Sequence, residues 1–182
     1  FQRLTNAIPR FFGLQKLFFL RFVHQPRRDR FILDKELHLV KRHHPHSNGL
    51  SEHYCRRWLA LALLKDLYHL QKTGKYVGTI VGVQRSHFFD TEDEYLTFTL
   101  ARPASPTPDQ NVSVTIGLLI DDDLKQKVKF LDDPAIALRT VNRTCQRCQI
   151  ENCGERAAEA TFINAREDRR RLQEALKQVM ES

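Results

Sequence analysis

Two stretches decide the fold: Tyr95-Leu96-Thr97-Phe98-Thr99-Leu100-Ala101 and Val112-Ser113-Val114-Thr115-Ile116-Gly117-Leu118-Leu119. Both repeat with a period of two and are rich in β-branched and aromatic residues, which predicts strands. The same period predicts strands at Tyr76–Val83 and Lys127–Leu131. In chain order the first three of these strands are separated by segments too short for a crossover helix. We therefore expect an antiparallel sheet.

Apolar residues at helical spacing predict three helices around this sheet. The first covers residues 1 to about 24 and has a face rich in phenylalanine. The second runs from Glu52 to about Lys72, with Ser51 as its cap and Cys55 in its first turn. The third, from about Asn164 to Met180, is charged and has a narrow apolar stripe. The intervening segment from Phe31 to Lys41 fits either a helix or a strand.

These elements predict an α+β fold with helices packed on an antiparallel sheet, the outline of a GAF- or PAS-like sensor layer. We expect an N-terminal helical segment at residues 1–50, which ends an upstream domain or serves as a linker. A GAF-like sensor domain with a cysteine-rich metal site would follow at 51–160, and a C-terminal helix at 161–182. Because the first residue is Phe1 rather than Met, we expect a longer polypeptide.

The composition is that of a soluble globular protein, with 41% hydrophobic and 28% charged residues in 182. The apolar run from Leu14 to Val23 contains Lys16 and Arg21, so it is too short and too charged to cross a bilayer. We therefore expect a cytoplasmic protein without membrane contact, in which thiols stay reduced. The net charge of +7 suits a phosphate-bearing ligand, and a plain basic surface explains it equally well.

Three of the four cysteines, Cys145, Cys148 and Cys153, lie within nine residues, and Cys55 lies 90 residues upstream (145 − 55 = 90). They form either one or two disulfides or a metal centre on all four sulfurs, and a reducing compartment favours the metal. Structural zinc usually takes two Cys-x2-Cys pairs, whereas iron–sulfur clusters often have three clustered cysteines and a distant fourth. The spacing therefore favours iron–sulfur over zinc and leaves both open.

Other kinds of site have weaker support. Four histidines between His43 and His53 suggest a metal, but imidazoles in an exposed loop are more often solvated. The chain has no Gly-rich phosphate loop, His-Glu-x-x-His or nucleophile elbow, so we do not expect an enzyme. A dithiol redox enzyme using the Cys-x2-Cys pair is a minor alternative, without the strand-then-helix context of thioredoxin. No helix-turn-helix pattern is present.

The segment Cys145-x2-Cys148-x4-Cys153-x2-Arg156-Ala157-Ala158, with Cys55-Arg56-Arg57-Trp58 upstream, carries a family resemblance. It resembles the C-terminal sensor half of short-chain fatty acyl-CoA-responsive transcriptional regulators of the helix-turn-helix xenobiotic-response-element (XRE) family, including regulators of the methylcitrate cycle. The resemblance covers roughly residues 55–158. Glu159 and Ala160 stand where the family often has prolines.

The resemblance implies a ligand- and redox-sensing regulatory domain of a transcriptional regulator. It implies a [4Fe-4S] cluster on Cys55, Cys145, Cys148 and Cys153, with structural zinc on the same residues as the alternative. It implies CoA or acyl-CoA as the small-molecule ligand, without assigning residues to the pocket, and DNA binding through a helix-turn-helix domain that this chain does not contain. A homodimer is a further assembly that the C-terminal stripe allows.

Overall fold

The computed structural model describes residues 7, 10, 11, 13–38, 52–75, 78–89, 91–107 and 109–180. Within them the strands are β1 (Leu17–Gln25), β2 (Arg30–His38), β3 (Ile80–Phe88), β4 (Glu94–Pro103), β5 (Asn111–Leu119) and β6 (Leu138–Val141). The helices are α1 (Leu59–Lys72), α2 (Asp122–Lys127) and α3 (Thr161–Met180), and a 3-10 turn at Pro26–Arg28 joins β1 to β2. None of these helices is long and apolar enough to cross a membrane.

The strands form one six-stranded sheet in the order β2-β1-β5-β4-β3-β6. Neighbouring strands are antiparallel except β3 and β6, which pair in parallel from Arg85–Leu138 to Phe88–Val141. The predicted α+β class is confirmed, whereas the wholly antiparallel sheet is corrected to a mixed one. Residues 120–137 carry the chain back along the sheet after β5, so β6 enters in the direction of β3.

The helix predicted over residues 1 to about 24, and with it the helical segment expected in 1–50, is wrong for the described part from Leu17 onward. Leu17–Gln25 is β1, which pairs with β5 and β2 in the main sheet. Apolar residues occupy both faces of this strand, so their spacing also matches a helix. The ambiguous segment after Phe31 is a strand to His38; residues 39–50 lie outside the described part.

The strand predicted at Lys127–Leu131 is also wrong, because helix α2 ends at Lys127 and turns follow. Asp121 caps α2 through its carboxylate, which accepts a hydrogen bond from the Leu124 amide at 3.0 Å. Leu124, Val128 and Leu131 are all buried at spacings of four and three, which is the period of a helical face rather than a strand.

Each face of the sheet has its own core. Helix α1 packs across β3, β4 and β5 and buries Ala60, Leu61, Leu64 and Leu67. The opposite face packs against α2 and the turns after it, mainly through Leu96, Ile116 and Leu118. Every residue of β5 is buried because this central strand is covered on both faces.

Gly117 is required by close packing. Phe18 lies opposite it in the β1–β5 register, and a Cβ atom at Gly117 would lie 2.1 Å from the Phe18 ring. We expect Gly117→Ala to lower the free energy of unfolding by about 1–3 kcal/mol, because the ring must move. Urea denaturation measures this. The matched control Gly154→Ala meets no atom within 4 Å and should be close to neutral; equal losses would contradict this role.

Among the imidazoles in the described part of the chain, His24 has the pKa that is shifted furthest from its usual value. It is buried and stacks on the Phe31 ring with the ring centroids 4.3 Å apart. Burial lowers the pKa of His24 to about 4; Asp29 opposes this effect, and Arg56 and Lys65 add to it. The folded protein therefore holds a neutral imidazole over a pH range in which the unfolded chain is protonated.

The stability that depends on neutral His24 should be fully present above pH 6.5 and be lost as the pH falls toward 4. Full loss amounts to about 3 kcal/mol. Urea denaturation at neutral pH and at pH about 4.5 measures this slope, which His24→Gln should flatten. His69→Gln, on the exposed side of α1, should keep the wild-type slope. The assignment fails if both variants behave alike.

Candidate metal centre

Two segments far apart in the sequence meet at the end of the sheet. Tyr54 and Thr144 form an isolated antiparallel bridge. On either side of it the Cys55 amide donates to the Arg143 carbonyl at 3.1 Å, and the Cys145 amide donates to the His53 carbonyl at 2.8 Å. Residues 53–55 are thereby paired with 143–145, which places Cys55 beside the cysteine cluster.

The sequence predicted that Cys55 lies in the first turn of a helix. This prediction is wrong. Helix α1 begins at Leu59, and its N-cap residue Trp58 is extended. Pairing with residues 143–145 holds Cys55 in the segment that precedes the helix.

Burial raises the pKa of the Cys55 thiol to about 11. Hydrogen bonding with the backbone at Asn142 and Arg57 opposes this effect, and the neighbouring Cys145 and Cys148 raise the pKa further. Three sulfur groups therefore share one buried neighbourhood. Because the free Cys55 thiol is protonated at neutral pH, any metal that it binds must displace this proton.

The cysteine loop has the tight turn expected of a Cys-x2-Cys pair, since the Cys148 amide donates to the Cys145 carbonyl at 3.2 Å. The Cys145 Sγ accepts a hydrogen bond from the Ala157 amide at 3.4 Å. All four cysteines are free, with Cys153 half-buried and the others buried. The loop thus presents a donor to one sulfur and leaves the thiols available for ligation.

Arg156 organises this loop from within. Its guanidinium donates to the carbonyls of Cys145 at 3.1 Å, Cys148 at 3.3 Å and Ile150. Its backbone amide donates to the Cys153 carbonyl at 3.1 Å. A single side chain therefore fixes the path of the whole loop, a role that the sequence reasoning did not assign to this arginine.

An ion pair between a buried carboxylate and a half-exposed guanidinium also joins the two segments. The Glu52 carboxylate is 1% exposed. Both of its oxygens accept hydrogen bonds from Arg147 Nε, and one of them also accepts from Arg147 Nη2 at 2.7 Å. Nearby, the Trp58 indole donates to the Asn142 carbonyl at 2.6 Å. These partners are 95 and 84 residues apart. Only the formed sheet brings them together, so no local sequence signal indicated them.

The described side chains do not form a complete set of metal ligands. In the described ranges, no three Cys, His, Asp or Glu side chains form a group able to hold a metal ion. Cys55, Cys145 and Cys148 share a neighbourhood, and Arg156 links Cys153 to the backbone of Cys145 and Cys148. His43, His44 and His46 lie outside the described residues, and His53 is exposed.

The donors around the cysteines nevertheless fit a metal held by thiolates. Arg143 Nε and Thr144 Oγ1, in the two residues before Cys145, are buried and have no hydrogen-bond partner within the described residues. Segments 52–58 and 142–157 carry five arginines against three glutamates, a net charge of +2 (5 − 3). Thiolate and sulfide groups are anionic acceptors, so they complement both the unpaired donors and the positive charge.

Comparison with known proteins adds no constraint. No family model, curated protein or solved structure matches this chain.

Replacing Arg156 should loosen the cysteine loop. We expect Arg156→Lys to lower the free energy of unfolding by about 1–3 kcal/mol, because an ammonium group cannot reach all three carbonyls and leaves part-buried acceptors unsatisfied. Chemical denaturation measures the loss. Arg171→Lys, on the exposed surface of α3, serves as the control. A loss no larger than that of the control would show that Arg156 does not organise the loop.

Proposed function

We propose that this chain is a sensor domain of a transcriptional regulator in which Cys55, Cys145, Cys148 and Cys153 hold an iron–sulfur cluster. One observation carries the proposal: the pairing of residues 53–55 with 143–145, which buries Cys55 beside Cys145 and Cys148. Cys153, on the same Arg156-stabilised loop, is the fourth ligand in the proposal. When bound, such a cluster supplies electron transfer and sensitivity to oxidants.

The protein's own groups have defined parts in this proposal. Arg156 holds the loop carbonyls in place, and the Ala157 amide donates to the Cys145 sulfur. Arg143 and Thr144 supply the unpaired buried donors. Hydrogen bonds to ligand sulfurs and nearby positive charge favour the anionic, reduced form of such a centre, so these groups would raise its reduction potential.

A small-molecule ligand is the second part of the proposal. A small space of about 20 Å³ lies between α1 and the sheet and is lined by Trp58, Phe88, Ser86, Thr97 and Thr115 among others. This volume holds about one water molecule, so a ligand would have to widen the space by moving α1 or the side chains that line it. Trp58 both lines the space and donates to Asn142, which is close to the Cys55 thiol. A ligand here would contact the residue that ties α1 to the cysteine segment.

The family resemblance supports the remaining parts of the proposal. It makes CoA or a short acyl-CoA the ligand, a GAF-like layer the sensor, and DNA bound elsewhere in the polypeptide the output. An acyl group would enter beside Trp58 only after this space widens, because it now holds about 20 Å³.

Metal and sulfide analysis of anaerobically purified protein tests the metal site. We expect a brown protein with about four iron and four sulfide per chain, because four thiolates hold a cluster of this type. Single Cys→Ser variants at Cys55, Cys145, Cys148 and Cys153 should each lower the iron content. Colourless protein with about one zinc per chain would make the site structural zinc. Protein without stoichiometric metal would overturn the proposal.

A further inference from the structure

Helix α3 presents an apolar stripe whose side chains are largely exposed. None of its 20 residues is buried, and Leu172 is 62% and Val179 74% exposed. Stripe residues recur at alternating spacings of three and four, the repeat of a coiled-coil seam. In this repeat the a positions are Phe162, Arg169 and Leu176, and the d positions are Ala165, Leu172 and Val179. The outward positions b, c and f carry Ile163, Asn164, Glu167, Arg170, Arg171, Glu174, Lys177 and Gln178, of which only Ile163 is apolar.

Two contacts join the first turn of α3 to the cysteine loop. The Phe162 amide donates to the Gln146 carbonyl at 3.2 Å, and the Arg147 guanidinium lies 4.7 Å from the Phe162 ring centroid. A helix of this length is only marginally stable in water without a packed face. We therefore expect a partner to cover the apolar side chains on the later turns of α3.

We propose that α3 is a dimerisation helix that forms a parallel two-stranded coiled coil with α3 of a second copy of this chain. Charge sets the orientation. In the parallel arrangement Arg169 at position a faces Arg169 of the second copy, and each guanidinium also lies beside Asp168 of the other helix at position g, whose carboxylate offsets the like charge. An antiparallel pair would place Arg169 opposite Leu172 and bury the guanidinium against an apolar side chain.

The seam is long enough for this role. Phe162, Leu172, Leu176, Val179 and Met180 are all exposed large apolar side chains of α3. Covering them in both copies removes on the order of 1,000 Å² from water, the lower end of specific interfaces. A single polar residue at an a position is also a known determinant of register and of the two-stranded state.

Dimerisation would bring the two cysteine loops to the same end of the assembly. Gln146 and Arg147, which hold the first turn of α3, lie between Cys145 and Cys148. The position of each helix is therefore set by its own cysteine loop. The dimer itself does not require a metal, so it is testable whatever the outcome of the metal analysis.

Sedimentation equilibrium of the whole chain tests the proposal. We expect the wild-type chain to be a dimer and Leu172→Glu to be a monomer, with association weakened at least tenfold, because the seam would bury two carboxylates. The matched control Leu138→Glu, at an exposed position of β6, should remain a dimer. A monomeric wild type, or a Leu172→Glu variant that dimerises like the control, overturns the proposal. Unchanged Trp58 fluorescence in both variants confirms that the body is folded.

Cross-linking tests the orientation separately. In a Val179→Cys variant, oxidation followed by proteolysis and mass spectrometry should join residue 179 to residue 179 of the second copy. The parallel arrangement places these d positions together. An antiparallel pair would give a different result. The Val179→Cys dimer would then form no link, and a Phe162→Cys/Val179→Cys variant would join residue 162 of one copy to residue 179 of the other.

Discussion

The antiparallel contact between residues 53–55 and 143–145 is the constraint on which the rest of the arrangement depends. It closes a loop that contains α1, β3, β4, β5, α2 and β6, and long loops of this kind are entropically costly to close. The sheet makes the closure possible, because β6 pairs in parallel with β3 and delivers residues 142–145 to the segment before α1. The Trp58 indole and the Glu52 carboxylate then fasten the two segments with buried polar contacts.

The cysteine loop is built mainly from arginine contacts rather than apolar packing. Arg156 fixes the loop carbonyls and Arg147 neutralises the buried Glu52, so both contacts hold the backbone in place without occupying the sulfurs. Burial and neighbouring sulfurs disfavour the Cys55 thiolate. A cation at this position would remove that penalty, and so metal binding and stability should be linked.

The arrangement also connects the site to the surface of the protein. Trp58 faces the space under α1 and binds the cysteine segment, and Arg147 faces both Glu52 and the first turn of α3. A change in the cysteine loop would therefore alter the contacts of Trp58 and of the first turn of α3. Such continuous contacts would serve the sensing role proposed above, because a signal must reach a surface that a partner recognises.

Local patterns in the sequence were sufficient where one physical period dominates. Alternation in Tyr95–Ala101 and Val112–Leu119 predicted β4 and β5 correctly, and the charged C-terminal segment is a helix as expected. The buried stripe of the helix after Trp58 was also predicted, although its first residues were not. The cysteine spacing identified a candidate site without showing how its two parts meet.

The tertiary structure decided the elements whose surroundings are non-local. β1 has apolar residues on both faces because the sheet is covered on both sides, so its sequence resembles a helix. The four-residue β6 forms because β3 offers it an edge, and Cys55 is extended because residues 143–145 pair beside it. The sequence by itself determined the composition of the site, the central strands and the seam of α3. Only the fold determined the environment of Cys55, because that environment is made by residues 90 positions away (145 − 55 = 90).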